Sequence, residues 1–195
     1  VDRLMTEPLA SQPIAAFVAA LAAKAPTPGG GAAAAVGAAV GAAAAAMAAA
    51  YTSRKKDKDS GAAAKAEELT ALLDCAALLR AADADAAAYA ELQRSWREAA
   101  MPPEEKAAIE ARALGVPVEL LRSCHALVVA VKGFLPACNP AIRSDAAVGI
   151  HLLAGAARAA YQTALVNSPP EETRAQLRAL LLEIKEVEEE LLELA

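Results

Sequence analysis

The chain has 195 residues, 56% hydrophobic and 22% charged but only 3% aromatic, with a formal net charge of −5. That length suits one domain with a continuous core, which so few aromatic rings force to be built from Ala, Leu and Val through many close helix contacts. A net acidic chain lacks the basic face that phosphate neutralisation needs, which excludes nucleic acid as a partner and leaves any anionic ligand to a local field.

The first predicted helix runs from about Pro13 to Lys24 and is ended by Pro26 and Pro28. Pro28-Gly29-Gly30-Gly31 then releases the chain into a run of small residues to Ala50. Glycines can reach φ > 0 and expose bare amides, and alanine is the strongest helix former, so an amide-rich loop meets a helix N-terminus. Such an end carries unpaired N–H groups and the positive pole of the helix dipole, a setting for an anionic or carbonyl-rich small ligand. A phosphate loop of the nucleotide-hydrolase type is excluded because Ala32 to Ala35 stand where Lys and Ser/Thr are required. The spacing Gly29-x-Gly31-x-x-Ala34 fits a dinucleotide fingerprint only after a buried strand, and Leu21 to Pro26 is not one. A plain interhelix turn would need only one glycine.

The predicted helix from Gly31 to Thr52 is long enough to span a bilayer, but alanine and glycine contribute little transfer energy and no aromatic belt flanks them. It reads as a central buried helix, with Gly37-x-x-x-Gly41 allowing close packing. The charged patch Arg54-Lys55-Lys56-Asp57-Lys58-Asp59 leads to a long predicted helix from Gly61 to Arg97. Pro102-Pro103 opens a short polar helix, and an apolar one follows from Pro117 to Leu135. After the loop 136–143, Ser144 or Asp145 is expected to cap a helix reaching Asn167. Ser168-Pro-Pro-Glu171 has the form of a capping box for a terminal helix ending at Leu194, whose apolar stripe Leu177, Leu181, Ile184, Val187, Leu191, Leu194 suits packing or a coiled coil. No segment alternates like a strand, so residues 1–195 read as one all-α bundle of about seven helices.

Cys75, Cys124 and Cys138 have no CxxC spacing and fit no standard metal pattern with His125 and His151. They read as inert thiols, with no metal site. No signal peptide precedes Val1, which makes the cytoplasm the expected location and a membrane role unexpected.

On the long predicted helix, Asp85 falls on the apolar row of Ala71, Leu78 and Leu92, with Tyr89 one turn on. A carboxylate buried without a cation has its pKa raised, the condition for general acid–base work. Asp83 lies on a neighbouring row, and periodicity does not choose between the two. Asn139 and Arg143 offer oriented donors for a carboxylate or a pterin-like heterocycle, beside Ser144 and Asp145. At 1.5 Å per residue the alanine helix sets the basic patch about 30 Å from the glycines. An antiparallel homodimer of this helix would bring one subunit's patch beside the other's glycine loop.

Taken in order, Pro-Gly-Gly-Gly before an Ala/Gly helix, Thr52 with Lys55-Lys56, Asp83-Ala-Asp85-Ala-x-x-Tyr89, Asn139-x-x-x-Arg143-Ser144-Asp145 and Tyr161 to Asn167 resemble a known family. It is the formiminotransferase-cyclodeaminase C-terminal domain, with its free-standing relatives, the methenyltetrahydrofolate cyclohydrolases of the serine cycle. The resemblance implies an all-helical homodimer acting on tetrahydrofolate one-carbon adducts, with no bound cofactor. It selects Asp85 as the acid–base carboxylate. Gly29, Gly30, Gly31, Lys55, Lys56, Asn139, Ser144, Asp145 and Asn167 match positions expected around folate, with Lys55 and Lys56 suited to its carboxylate tail. Departures are Ala32 for a serine, Cys138 for a glycine, and Thr163-Ala164 for an Asn-Val pair. A short chain without a formiminotransferase half favours the cyclohydrolase reaction over the cyclodeaminase one. A non-catalytic folate-binding or scaffolding dimer is the reading from outside enzymology.

Overall fold

The computed structural model describes residues 8–193. Among them are eight α-helices, two short 3-10 turns and no strand. The helices are α1 (Ile14–Ala22), α2 (Gly30–Ala50), α3 (Lys55–Asp59), α4 (Ala62–Leu72), α5 (Cys75–Arg97), α6 (Pro103–Phe134), α7 (Arg143–Val166) and α8 (Glu171–Glu193).

The alanine helix is the axis of the molecule. Ala32, Ala35, Ala38, Ala42, Ala45 and Ala48 are fully buried, and α2 packs most extensively on α7 and α5. With methyl groups as its largest buried side chains, α2 gains by proximity: an added Cβ on Gly41 would lie 2.9 Å from Leu153 N and 3.0 Å from Gly149 O. One on Gly149 would lie 2.8 Å from Gly41 O. Gly37 faces Ala156, so α7 runs antiparallel to α2. Both α2 and α6 have the length and composition of membrane spans, and each packs against neighbouring helices of the bundle.

Two predicted boundaries are corrected. The single helix expected from Gly61 to Arg97 is two helices, broken at Leu73 and Asp74, where the Asp74 carboxylate accepts from Ala77 N at 2.8 Å and caps α5. Conversely, the two helices expected after Pro102 are one of 32 residues, with Pro117 buried inside it. Proline removes the donor for the carbonyl four residues back, here that of Ala113. Asn167 Nδ2 donates to that oxygen at 3.2 Å and keeps the helix intact.

The expected caps also differ. α7 starts at Arg143, after a 3-10 turn over Pro140–Ile142, so Ser144 and Asp145 stand inside its first turn rather than before it. α8 starts at Glu171, which leaves Ser168, with φ of 50°, outside the helix and its capping box unformed. Leu177, Ile184 and Val187 bury the apolar stripe of α8 against this chain's own core; Leu194 lies outside the described residues. His125 and Lys132 of α6 meet Glu183 and Glu190, and His151 and Arg158 of α7 meet Glu188, fastening that helix at its rim.

Candidate active site

The backbone enters α2 in an extended conformation at Gly29 (φ −118°, ψ −165°), and among the described glycines only Gly61 has positive φ. The glycines at this turn are therefore not there for left-handed geometry. A side chain on Gly29 or Gly30 would meet open space, whereas a Cβ on Gly31 would lie 2.0 Å from Asp85 Oδ1 and 2.4 Å from its Cγ. The missing side chain of Gly31 is the room the carboxylate occupies. At that place Asp85 is half-buried, and desolvation raises its pKa above the ordinary carboxylate value against a smaller opposing effect from the Ala32 amide, which donates to it. It meets no cation. An acid held this way keeps its proton more readily than an ordinary carboxylate, the condition for general acid–base work.

Asp83, its competitor on the sequence, has a structural duty. It accepts from Leu9 N at 2.6 Å and Ala10 N at 3.4 Å, tying the N-terminal turn to α5. Tyr89, one turn beyond Asp85, meets Trp96 edge to face, with ring centroids 6.1 Å apart and planes at 84°. Asn167, at the end of α7, is brought to the α2 N-terminal end of the bundle by the antiparallel packing. Its amide nitrogen is spent on Ala113 O and, at 3.1 Å, on Thr163 O.

The remaining predicted residues gather at the opposite end of α2, about 30 Å away at 1.5 Å per residue. Asn139 is buried and engaged on both sides: Nδ2 donates to Tyr51 O at 3.1 Å, and Oδ1 accepts from Ala141 N at 3.2 Å. Its backbone N–H donates to Thr52 Oγ1 at 3.0 Å, and that hydroxyl donates on to Ala48 O. Asn139 thus clasps the 136–143 loop to the end of α2. Arg54 closes on Asp57 through Nε at 2.7 Å and Nη2 at 2.8 Å, holding that carboxyl below its usual range. Lys55 pairs with Asp59 at 2.9 Å on the outer surface, and Ser144 Oγ meets Asp145 Oδ2 at 3.3 Å.

Lys56 and Arg143 instead line a cleft of about 490 Å³ with Lys65 of α4, walled by Pro136, Ala137 and Pro140. Its one acid, Asp57, is already neutralised by Arg54, so three cations from three elements give the cleft a positive field on a net acidic chain. Lys65 was not singled out by the sequence, and its single signal there is a lysine on the helix following the basic patch. A second concavity, an apolar groove of about 880 Å³ between α5 and α6, is lined by Ala81, Ala84, Ala88 and Val116 and does not include Asp85.

Residues 13–186 match the formiminotransferase-cyclodeaminase family. The fold is similar to the crystal structure of formiminotetrahydrofolate cyclodeaminase from Thermotoga maritima, with a TM-score of 0.78 and 22% identity over 92% of this chain and 91% of that one. No curated protein matches the chain.

Proposed function

The chain belongs to the formiminotransferase-cyclodeaminase family of enzymes, and we propose that it makes or breaks the one-carbon bridge between N5 and N10 of tetrahydrofolate, with Asp85 carrying the proton. The observation behind this reading is the Asp85 carboxylate seated in the Gly31 gap beside the Ala32 amide, at the open N-terminus of α2.

In the deaminating direction, N10 attacks the formimino carbon of the protonated substrate to give a tetrahedral carbon bearing both ring nitrogens and the amino group. Asp85 takes the N10 proton and returns it to the amino nitrogen. The C–N bond then breaks with its electron pair leaving on ammonia, and the methenyl cation remains. In the hydrolytic direction, water adds to the methenyl carbon while Asp85 accepts its proton. The carbon–N5 bond breaks, N5 takes the proton from Asp85, and loss of the remaining hydroxyl proton to solvent gives the 10-formyl product. A carboxyl with a raised pKa serves as base and then acid in both. The backbone amides at the start of α2 orient the pterin carbonyl.

The family name and the solved relative favour the deaminating direction. The hydrolytic one uses the same groups. Following methenyl absorbance together with ammonia release from the formimino substrate separates them. Asp85→Asn is expected to lower either turnover ~10²–10⁴-fold, and unchanged turnover would end the proposal.

The carboxylate tail requires cations, and among the described residues none meets Asp85. We propose that the tail is held by Lys56, Lys65 and Arg143 of a second copy. Val40 and Met47 on α2, Tyr51 directly after it, and Val148 and Leu152 on α7 are large apolar side chains left exposed, a surface suited to antiparallel pairing of two α2 helices. Mixing inactive Asp85→Asn with an inactive Lys56→Glu/Arg143→Glu chain is expected to restore turnover, because one heterodimer site then has both halves intact. Absence of recovery in a verified heterodimer contradicts the shared site.

A further inference from the structure

Asp85 is not the last residue of its stripe. On a helix turning 100° per residue, Tyr89 and Trp96, four and eleven positions on, point within about 40° of it. Leu78 and Ala82 share a core with α2, whereas Leu92 joins a separate cluster with Met101, Ile109 and Ala113. Since α2 begins at Gly30, α5 runs antiparallel to it and continues beyond its first turn. Tyr89 and Trp96 therefore carry the Asp85 stripe on for about 16 Å, at 1.5 Å per residue. Trp96 is 61% exposed, an unusual position for the largest apolar side chain, and it stands at a near right angle to the Tyr89 ring.

We infer that Tyr89 and Trp96 form an aromatic rest for the planar fused heterocycle of the ligand, with Trp96 setting affinity for that ring system. The inference rests on the folate reading above. A flat π-system gains by stacking on an aromatic side chain. Trp96 touches the ring and no reacting atom, so its removal is expected to act on binding.

Kinetics of Trp96→Ala and Trp96→Phe on the full chain test this, with folding of each variant verified by circular dichroism. Trp96→Ala is expected to raise KM about tenfold with kcat held within about twofold, and Trp96→Phe to recover most of that loss because a ring is retained. Trp96 is the single tryptophan of the sequence, so its emission reports directly. Titration of the wild type with 5-formyltetrahydrofolate, corrected for ligand absorption, is expected to give saturable quenching and a blue shift. An unchanged KM in Trp96→Ala, or emission unmoved at saturating ligand, overturns the inference. So does emission that follows protein dilution rather than ligand, which would put the indole in a subunit contact. Asp85→Asn separates the two levels: full turnover in that variant removes the folate chemistry itself, whereas lost turnover with retained quenching leaves both readings standing.

Discussion

Two glycines on one helix make room for different things. At Gly41 the absent side chain admits the backbone of α7, and a Cβ there would press on Leu153 N and Gly149 O at 2.9 and 3.0 Å. Ten residues earlier, Gly31 admits a carboxylate instead. The first contact is between two rods and has no softer alternative. The second is between a rod and one short side chain that can swing away and leave the fold standing. Identical composition thus admits a backbone in the middle of α2 and a carboxylate at its end.

Substitution separates the two uses. Gly31→Ala is expected to displace Asp85 from the Ala32 amide and lower turnover by ~10²-fold or more, while the melting temperature stays within about 2 °C because alanine suits a helix. Steady-state kinetics beside a thermal melt measure both; retained activity would mean the close approach is not needed. Gly149→Ala is expected to do the reverse, costing about 1–3 kcal/mol by overpacking, with turnover per folded molecule preserved. Urea titration reads that loss. Asn167→Ala leaves the Ala113 carbonyl opposite Pro117 without its donor, at an expected cost of about 1–2 kcal/mol, whereas Asn167→Asp, an acceptor facing an acceptor, is expected to cost at least as much.

The smallest effect is the dependence on pH. Asp85 has a raised pKa in the folded chain, so between the ordinary carboxylate range and that raised value the folded state binds more protons than the unfolded one. Wild-type stability therefore falls as pH climbs through this window. Asp85→Asn should not follow it: its melting temperature is expected to match the wild type in acid and to exceed it above the window. The acid limb of the wild-type kcat profile is expected above the ordinary carboxylate pKa. A limb at the ordinary value would detach the group seen by kinetics from the one in the Gly31 gap.

The helical class and the central alanine helix were legible because each is written locally, in composition and punctuation. Periodicity left Asp83 and Asp85 level, since two residues 200° apart on one helix can both be half-buried. The structure assigns Asp83 to the amides of Leu9 and Ala10, partners more than 70 positions away. The same distance hid the duties of Asn139 and Asn167, whose acceptors on Tyr51 and Ala113 lie 88 and 54 positions off. Pro117 misled in the other direction: proline is a local stop signal, and the donor that cancels it comes from another helix. Asp74, by contrast, was a readable cap in a stretch whose alanines and leucines read as continuous helix.

A helix whose buried surface is methyl groups and hydrogens has almost no rotamers to choose among. The Gly31 end and the Thr52 end of α2 are consequently related by backbone alone, as two marks on a ruler are, and no side-chain rearrangement in between can lengthen, shorten or rephase that interval.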